Sequence, residues 1–229
     1  MIQVFTDKNF RDTNAYLLYN NNNEGILIDT ANGQYNDILT FTSEKNIIIT
    51  DIFITHGHFS HCYGINDIVK QHNPKSVYIG KADLLMLFDP NKNTSAYYNI
   101  ENEGWVADPF KNLKVISENC EMKINGYDLK IITCPGHTEG SIAIIFPDLK
   151  CIFNGDSIFL NKNPLTISTT AYDEEKLLNN FIYLIENFYP GYSLFPGHFD
   201  CGFELDRIII ENDWIKKECQ INTPTKDKK

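Results

Sequence analysis

Five of the six histidines of this 229-residue chain fall in three short motifs: Thr55-His56-Gly57-His58-Phe59-Ser60-His61, Pro135-Gly136-His137 and Pro196-Gly197-His198. Imidazole is the commonest protein metal ligand at neutral pH, so the clustering points to metal chemistry. His56 and His58 lie two apart at the end of a predicted strand. In extended backbone they point the same way and can reach one ion. His61, three residues on at the start of a helix, aims at a neighbouring position. His137 and His198 each follow Pro-Gly, where glycine permits the tight backbone approach of a ligand loop. Asn154-Gly155-Asp156 follows a buried strand and offers a carboxylate. His72, outside every motif, reads as a satisfied polar group or a surface residue.

These residues need elements to hold them. Asn14 to Tyr19 and Gly25 to Asp29 read as strands joined by a polar turn over Asn20 to Asn23. Asp51 to Thr55 is a strand running into the first histidine motif, followed by a helix over 61–72. Val77 to Ile79 predicts a strand and Lys81 to Phe88 a helix. Further strands are expected at 114–116, 129–132, 142–146 and 151–153. Leu177, Phe181, Leu184, Ile185 and Phe188 fall at helical spacing after Asp173, a fitting N-cap. A last helix is expected over 203–217, and a polar tail over 220–229. Strands and helices without strict βαβ alternation predict an α+β fold, an αββα sandwich of two mixed sheets flanked by helices, as one domain over 1–219. The motifs sit where strands end, where loops can bring distant ligands together.

Composition narrows the partners. Hydrophobic residues make up 42% of the chain, enough for a substantial core. The net charge of −10 and the lack of a basic run before the last residues argue against nucleic-acid binding. No apolar run reaches the roughly 20 residues that span a bilayer, and no secretory signal is visible, so a cytoplasmic protein acting on a small molecule is expected. The six cysteines form no CxxC pair and read as reduced thiols. Cys62, Cys134 and Cys201 lie close to motif histidines, and core packing is favoured for them over metal ligation.

The ordered motifs His56-Gly57-His58-Phe59-Ser60-His61, Cys134-Pro135-Gly136-His137-Thr138-Glu139-Gly140-Ser141, Gly155-Asp156-Ser157 and Pro196-Gly197-His198 resemble those of the metallo-β-lactamase-fold hydrolases, above all the short glyoxalase II-like members. The resemblance implies that His56, His58 and His137 bind a first metal, that Asp156 bridges, and that His61 and His198 bind a second. The family's HxHxDH motif has an aspartate where this chain has Ser60. Three imidazoles and Asp156 are an ordinary set for Zn²⁺, so one Zn²⁺ is expected. The second site is expected to be weak, empty or metal-selective, because a serine hydroxyl is a poor substitute for a carboxylate.

The implied activity is hydrolysis. Bound Zn²⁺ lowers the pKa of its water to about 7 and polarises a carbonyl, and Asp156 would orient the resulting hydroxide. Without the missing aspartate, thioesters and activated esters are favoured over amides. The chain would then act as a hydroxyacylglutathione hydrolase-like enzyme or as another thioesterase or lactonase. One alternative is a mononuclear Fe²⁺ enzyme like the persulfide dioxygenases, using His56, His137 and Asp156. Another is a non-catalytic metal-binding descendant. The polar stretch 89–110, with Tyr97, Tyr98 and Trp105, is expected to face substrate.

Overall fold

The computed structural model describes residues 1–33, 35–162 and 172–218. Two six-stranded sheets carry the fold, each with its strands side by side in chain order. The first comprises β1 (Ile2–Asp7), β2 (Thr13–Tyr19), β3 (Glu24–Ile28), β4 (Ile48–Ile54), β5 (Ser76–Gly80) and β6 (Leu113–Ile116). The second comprises β7 (Cys120–Ile124), β8 (Tyr127–Thr133), β9 (Ile142–Phe146), β10 (Cys151–Gly155), β11 (Ser193–Pro196) and β12 (Phe203–Glu204). In the first sheet β1, β2 and β3 pair antiparallel, and β3 to β6 run parallel. In the second every pair is antiparallel except β10 with β11.

Among the described residues the helices are α1 (Tyr35–Lys45), α2 (Phe59–Cys62), α3 (Ile65–His72), α4 (Glu174–Phe188), α5 (Leu205–Glu211) and α6 (Asp213–Glu218). None of them is long and apolar enough to cross a membrane.

Side-chain alternation along the strands sorts the apolar residues into three layers. On β2, Ala15 and Leu17 face α1 and α3, while Tyr16 and Leu18 face the other sheet. On β9, Ile142, Ile144 and Phe146 meet them there, while Ala143 and Ile145 turn outward to α4. This is the expected αββα sandwich. Helix α4 buries Leu177, Phe181, Leu184 and Phe188 on one stripe, and the Asp173 side chain caps it by accepting from the Lys176 amide at 3.0 Å. Truncating a side chain such as Phe181 to alanine would cost about 3–5 kcal/mol.

Three helix expectations are corrected. The helix expected over 61–72 is two pieces, α2 and α3. The Thr30 amide bonds the His61 carbonyl at 2.8 Å, and the Thr30 hydroxyl accepts from the Gly64 amide at 3.1 Å, so the chain restarts at Gly64. Lys81 to Phe88 winds as a tighter 3₁₀ helix. The helix expected over 203–217 is interrupted: Phe203–Glu204 pairs with β11, and Asn212 splits the remainder. The Asn212 amide donates to the Phe159 and Lys162 carbonyls, and its oxygen accepts from the Ile215 amide. Cys219 and the tail over 220–229 lie outside the described residues. Strands β1, β7, β11 and β12 and helix α1 were not expected from the sequence.

Candidate metal centre

The six ligand candidates arrive from the C-terminal ends of four strands. His56 and His58 follow β4, and His61 sits in α2. His137 lies in the loop from β8 to β9, Asp156 just beyond β10, and His198 just beyond β11. Backbone hydrogen bonds sew these ends together: the Ile142 amide to the Thr55 carbonyl at 2.8 Å, and the Gly197 amide to the Gly155 carbonyl at 2.8 Å. The two Pro-Gly-His turns need their glycines. A Cβ on Gly197 would overlap the Asp156 carboxylate and the His61 ring. Gly136, at φ +145°, has Leu177 and the Asp173 carbonyl against the same face.

All six candidates are buried and come together. His58 Nδ1 lies 3.1 Å from His56 Nε2 and 3.0 Å from His137 Nε2. Asp156 Oδ2 is 3.5 Å from His137 Nε2 and 3.9 Å from His56 Nε2. A tetrahedral ion with bonds of about 2.0–2.1 Å needs donors roughly 3.3 Å apart, so these four atoms have the right spacing. Beside them, His61 Nε2 is 3.3 Å from His198 Nε2 and 3.4 Å from Asp156 Oδ1, and His198 Nε2 is 3.3 Å from Asp156 Oδ2. Asp156 thus stands between two groups of imidazoles.

The outer contacts assign the tautomers. His61 Nδ1–H donates to Asp29 Oδ2 at 2.8 Å. The Thr55 hydroxyl donates to the same oxygen at 2.8 Å, and so accepts from His56 Nδ1–H at 3.1 Å. His198 Nδ1–H donates to the Arg11 carbonyl at 3.0 Å, with the Thr13 hydroxyl 3.3 Å away. His56 and His198 therefore each turn an Nε2 lone pair inward, and His61, its Nδ1–H held by Asp29, does so once its second proton leaves. Lone pairs about 3 Å apart repel one another, and a cation between them converts the repulsion into bonds. Asp156 Oδ1 is buried without a hydrogen bond, 3.4 Å from His61 Nε2.

The electrostatics divide the imidazoles. Burial, and then the neighbouring imidazoles, push His56 and His58 well below the ordinary imidazole pKa, which keeps both neutral and able to ligate. Burial also works to lower His61, but the Asp156 and Asp29 carboxylates lift it to about 10. Burial works to raise Asp156, yet His198 and His61 hold it well below the usual carboxylate range.

Two residues that the sequence reading left without a role hold this geometry. Asp29, φ +56°, takes the Thr55 amide on one oxygen and the Thr55 hydroxyl and His61 on the other. Its signal was present, as the acid ending an apolar run. Asp83 is buried and accepts from the Gly57 amide at 2.8 Å, the Thr138 hydroxyl at 2.6 Å and the Gly140 amide at 2.8 Å. It clamps the His56–His58 loop to the His137 loop, with a pKa raised by burial against these three bonds. No motif marks it.

Ser60 is buried beside the donors. It lines a narrow cleft, with room for little more than a water, together with Phe10, Arg11, Thr94 and Tyr98, above His58, His137, Asp156 and His198. The expectation for residues 89–110 is corrected in part. Thr94 and Tyr98 reach the cleft, but Trp105 is buried in the helix-side core and its carbonyl takes bonds from Asn93 and Ser95. Tyr97 is exposed and stacks edge-on against Tyr98. The five described cysteines are free, and none is in a donor group. Burial pushes the Cys62 thiol well up and Cys134 to about 12. His72 is satisfied by the Ile49 amide and the Thr42 hydroxyl.

A sequence profile of the metallo-beta-lactamase superfamily matches residues 9–198. The chain is 25% identical over 191 residues to a probable metallo-hydrolase of Streptococcus pyogenes serotype M6, covering 81% of this chain and 78% of that protein. It is 24% identical over 147 residues to the hydroxyacylglutathione hydrolase GloC of Haemophilus influenzae, covering 64% and 66%. In fold it is similar to the B3 metallo-beta-lactamase BLEG-1, with a TM-score of 0.82 at 21% identity over 94% of this chain and 99% of that one. It is also similar to TTHA1623, solved in a di-iron-bound form, with a TM-score of 0.76 at 21% identity over 93% and 99%.

Proposed function

Since this chain belongs to the metallo-β-lactamase superfamily, we propose that it is a metal-dependent hydrolase of a small thioester or ester. The convergence of His56 Nε2, His58 Nδ1, His137 Nε2 and Asp156 on one point carries the reading. These four would hold the first ion, and His61 and His198, sharing Asp156, a second. A bound divalent ion would supply a nucleophile from water at neutral pH and polarise the scissile carbonyl. Zn²⁺ suits three neutral imidazoles and one carboxylate.

The chain's own residues set the selectivity. Asp29 and the Arg11 carbonyl fix the inward nitrogens of His61 and His198. Asp156 is the only carboxylate among the residues lining the cleft, and its proton affinity is held low. A leaving group that needs a proton finds no second carboxyl there, since Ser60 stands where the family motif has aspartate. Thiolates and stabilised alkoxides depart without that help, so thioesters and activated esters fit better than amides. The same substitution leaves the second group of donors short of negative charge and favours one firmly held ion over two.

A mononuclear iron site would use two histidines and a carboxylate with open positions around them. His58 Nδ1, packed against both other imidazoles, favours the hydrolytic set instead. Metal analysis of protein purified without chelator, paired with a thioester assay, tests the proposal. About one tightly held ion per chain with thioester turnover is expected. Two tightly held ions would overturn the reading of Ser60. Iron content with oxygen uptake on glutathione persulfide would replace hydrolase by dioxygenase. Failure to bind any metal would leave a non-catalytic descendant.

A further inference from the structure

The chain has only two arginines, Arg11 and Arg207. Arg207 is paired with Glu211 at 2.7 Å on the surface. Arg11 lines the cleft above the donor set and makes no ion pair among the described residues. Its guanidinium carbon lies 5.8 Å from the centre of the Tyr98 ring, within reach of a cation–π contact. A contact of this kind leaves the guanidinium N–H groups unpaired. Their planar fork matches a carboxylate bidentately.

The position is built. Arg11 and Asp12 are both left-handed, at φ +53° and +50°, a conformation that glycine adopts far more easily than a residue with a Cβ. The His198 loop holds both in place: the Arg11 carbonyl accepts from His198 Nδ1, and the Asp12 carbonyl from the Phe199 amide, each at 3.0 Å. The backbone that carries the Arg11 side chain is therefore fixed relative to His198. Ser60, in the same cleft, carries no charge, so Asp156 is the one acid among the lining residues. In a chain of net charge −10, an unpaired arginine over a buried polar cluster is a local reversal of sign, and such a reversal recruits anions.

We infer that Arg11 is a specificity residue and that the cleft takes a small ester or thioester carrying a carboxylate, which Arg11 binds over the Tyr98 ring. The inference rests on the hydrolase reading, so its test separates the two. One arm compares butanoyl and succinyl thioesters of the same thiol. Wild-type protein is expected to favour the succinyl substrate in kcat/KM, and Arg11→Gln to lower that preference about 10- to 100-fold. Arg11→Lys, which keeps the charge but loses the fork, should fall between. Lys123→Gln, at an exposed pair with Asp128 far from the cleft, should behave as wild type. An equal drop on both substrates would overturn the specificity role.

The other arm needs no turnover. It measures calorimetric binding of the two corresponding thioethers, which cannot be hydrolysed. Carboxylate-dependent binding lost in Arg11→Gln, without hydrolysis of either thioester, would sustain Arg11 and sink the hydrolase. Equal binding of both thioethers to wild type would overturn the inference whatever the assay shows.

Discussion

The two groups of imidazoles that share Asp156 are supported in opposite ways. The first, His56, His58 and His137, is rich in inward donors, yet His58 Nε2 is buried without a hydrogen bond. The second, His61 and His198, has few inward donors but complete outer support from Asp29 and the Arg11 carbonyl. Outer hydrogen bonds orient a ligand; they do not neutralise an ion. The contrast separates the two requirements of a metal site, aim and charge. On the proposed reading the second group has the aim, and Ser60 brings it no charge.

The sharpest way to break this contrast is at His58. His58→Ala removes the donor that touches both other imidazoles, and hydrolysis should fall about 1000-fold or more with loss of the first ion. Metal content and kcat/KM read it; unchanged metal content would mean that the first group is not the main site. Next comes Asp83→Ala, which orphans two buried amides and a hydroxyl. A stability loss of about 3–5 kcal/mol in urea unfolding is expected, because buried donors left unpaired cost about 1–3 kcal/mol each. A loss below about 1 kcal/mol would show that the two loops do not depend on this clamp. Asp29→Asn should spare the first ion and weaken any second by about 10- to 100-fold, by loosening His61. Titration of cobalt into metal-free protein distinguishes the two ions.

The smallest effect is on the pH dependence of the metal-free protein. His61 has a folded pKa of about 10 against 6.5 unfolded. Its contribution is therefore complete below 6.5 and lost as pH rises toward 10. His56 and His58 are shifted down. In the unfolded chain they take up protons below 6.5 that the folded chain refuses, so stability also falls on the acid side. A maximum near pH 6.5 is expected in urea unfolding of chelated protein. With metal bound the alkaline loss should vanish, since ligation favours deprotonated imidazole. A metal-free protein that grows more stable from pH 6.5 to 9 would contradict the His61 assignment.

The local features of the chain were legible in its sequence. The apolar runs of β2, β3, β4 and β9, the Asp173 cap and the Phe181 stripe declare themselves through period and composition. All six ligand candidates stand in motifs at strand ends. What escaped depends on partners far along the chain. Strand β7 alternates Cys120, Met122 and Ile124 with charged residues and is only half-buried at the sheet's edge. Helix α1 buries just Ile38 and Thr42, too thin a stripe to read. Asp83 is the one acid in a mostly apolar 3₁₀ helix, and only the fold brings Gly57, Thr138 and Gly140 to it. Asn212 resembles any helical asparagine until the Phe159 and Lys162 carbonyls claim it.

The order of the strands has a mechanical consequence. Each sheet is made wholly from one half of the chain, β1 to β6 from the first and β7 to β12 from the second. His56, His58 and His61 belong to the first half, and His137, Asp156 and His198 to the second. An ion seated among them is a clasp across the seam between two chain halves, and each half alone carries only three of the six donors. At a free metal concentration 100 times its Kd, such a clasp adds about 2.7 kcal/mol against unfolding. Two fragments cut between β6 and β7 would rejoin more tightly in the presence of metal than in its absence.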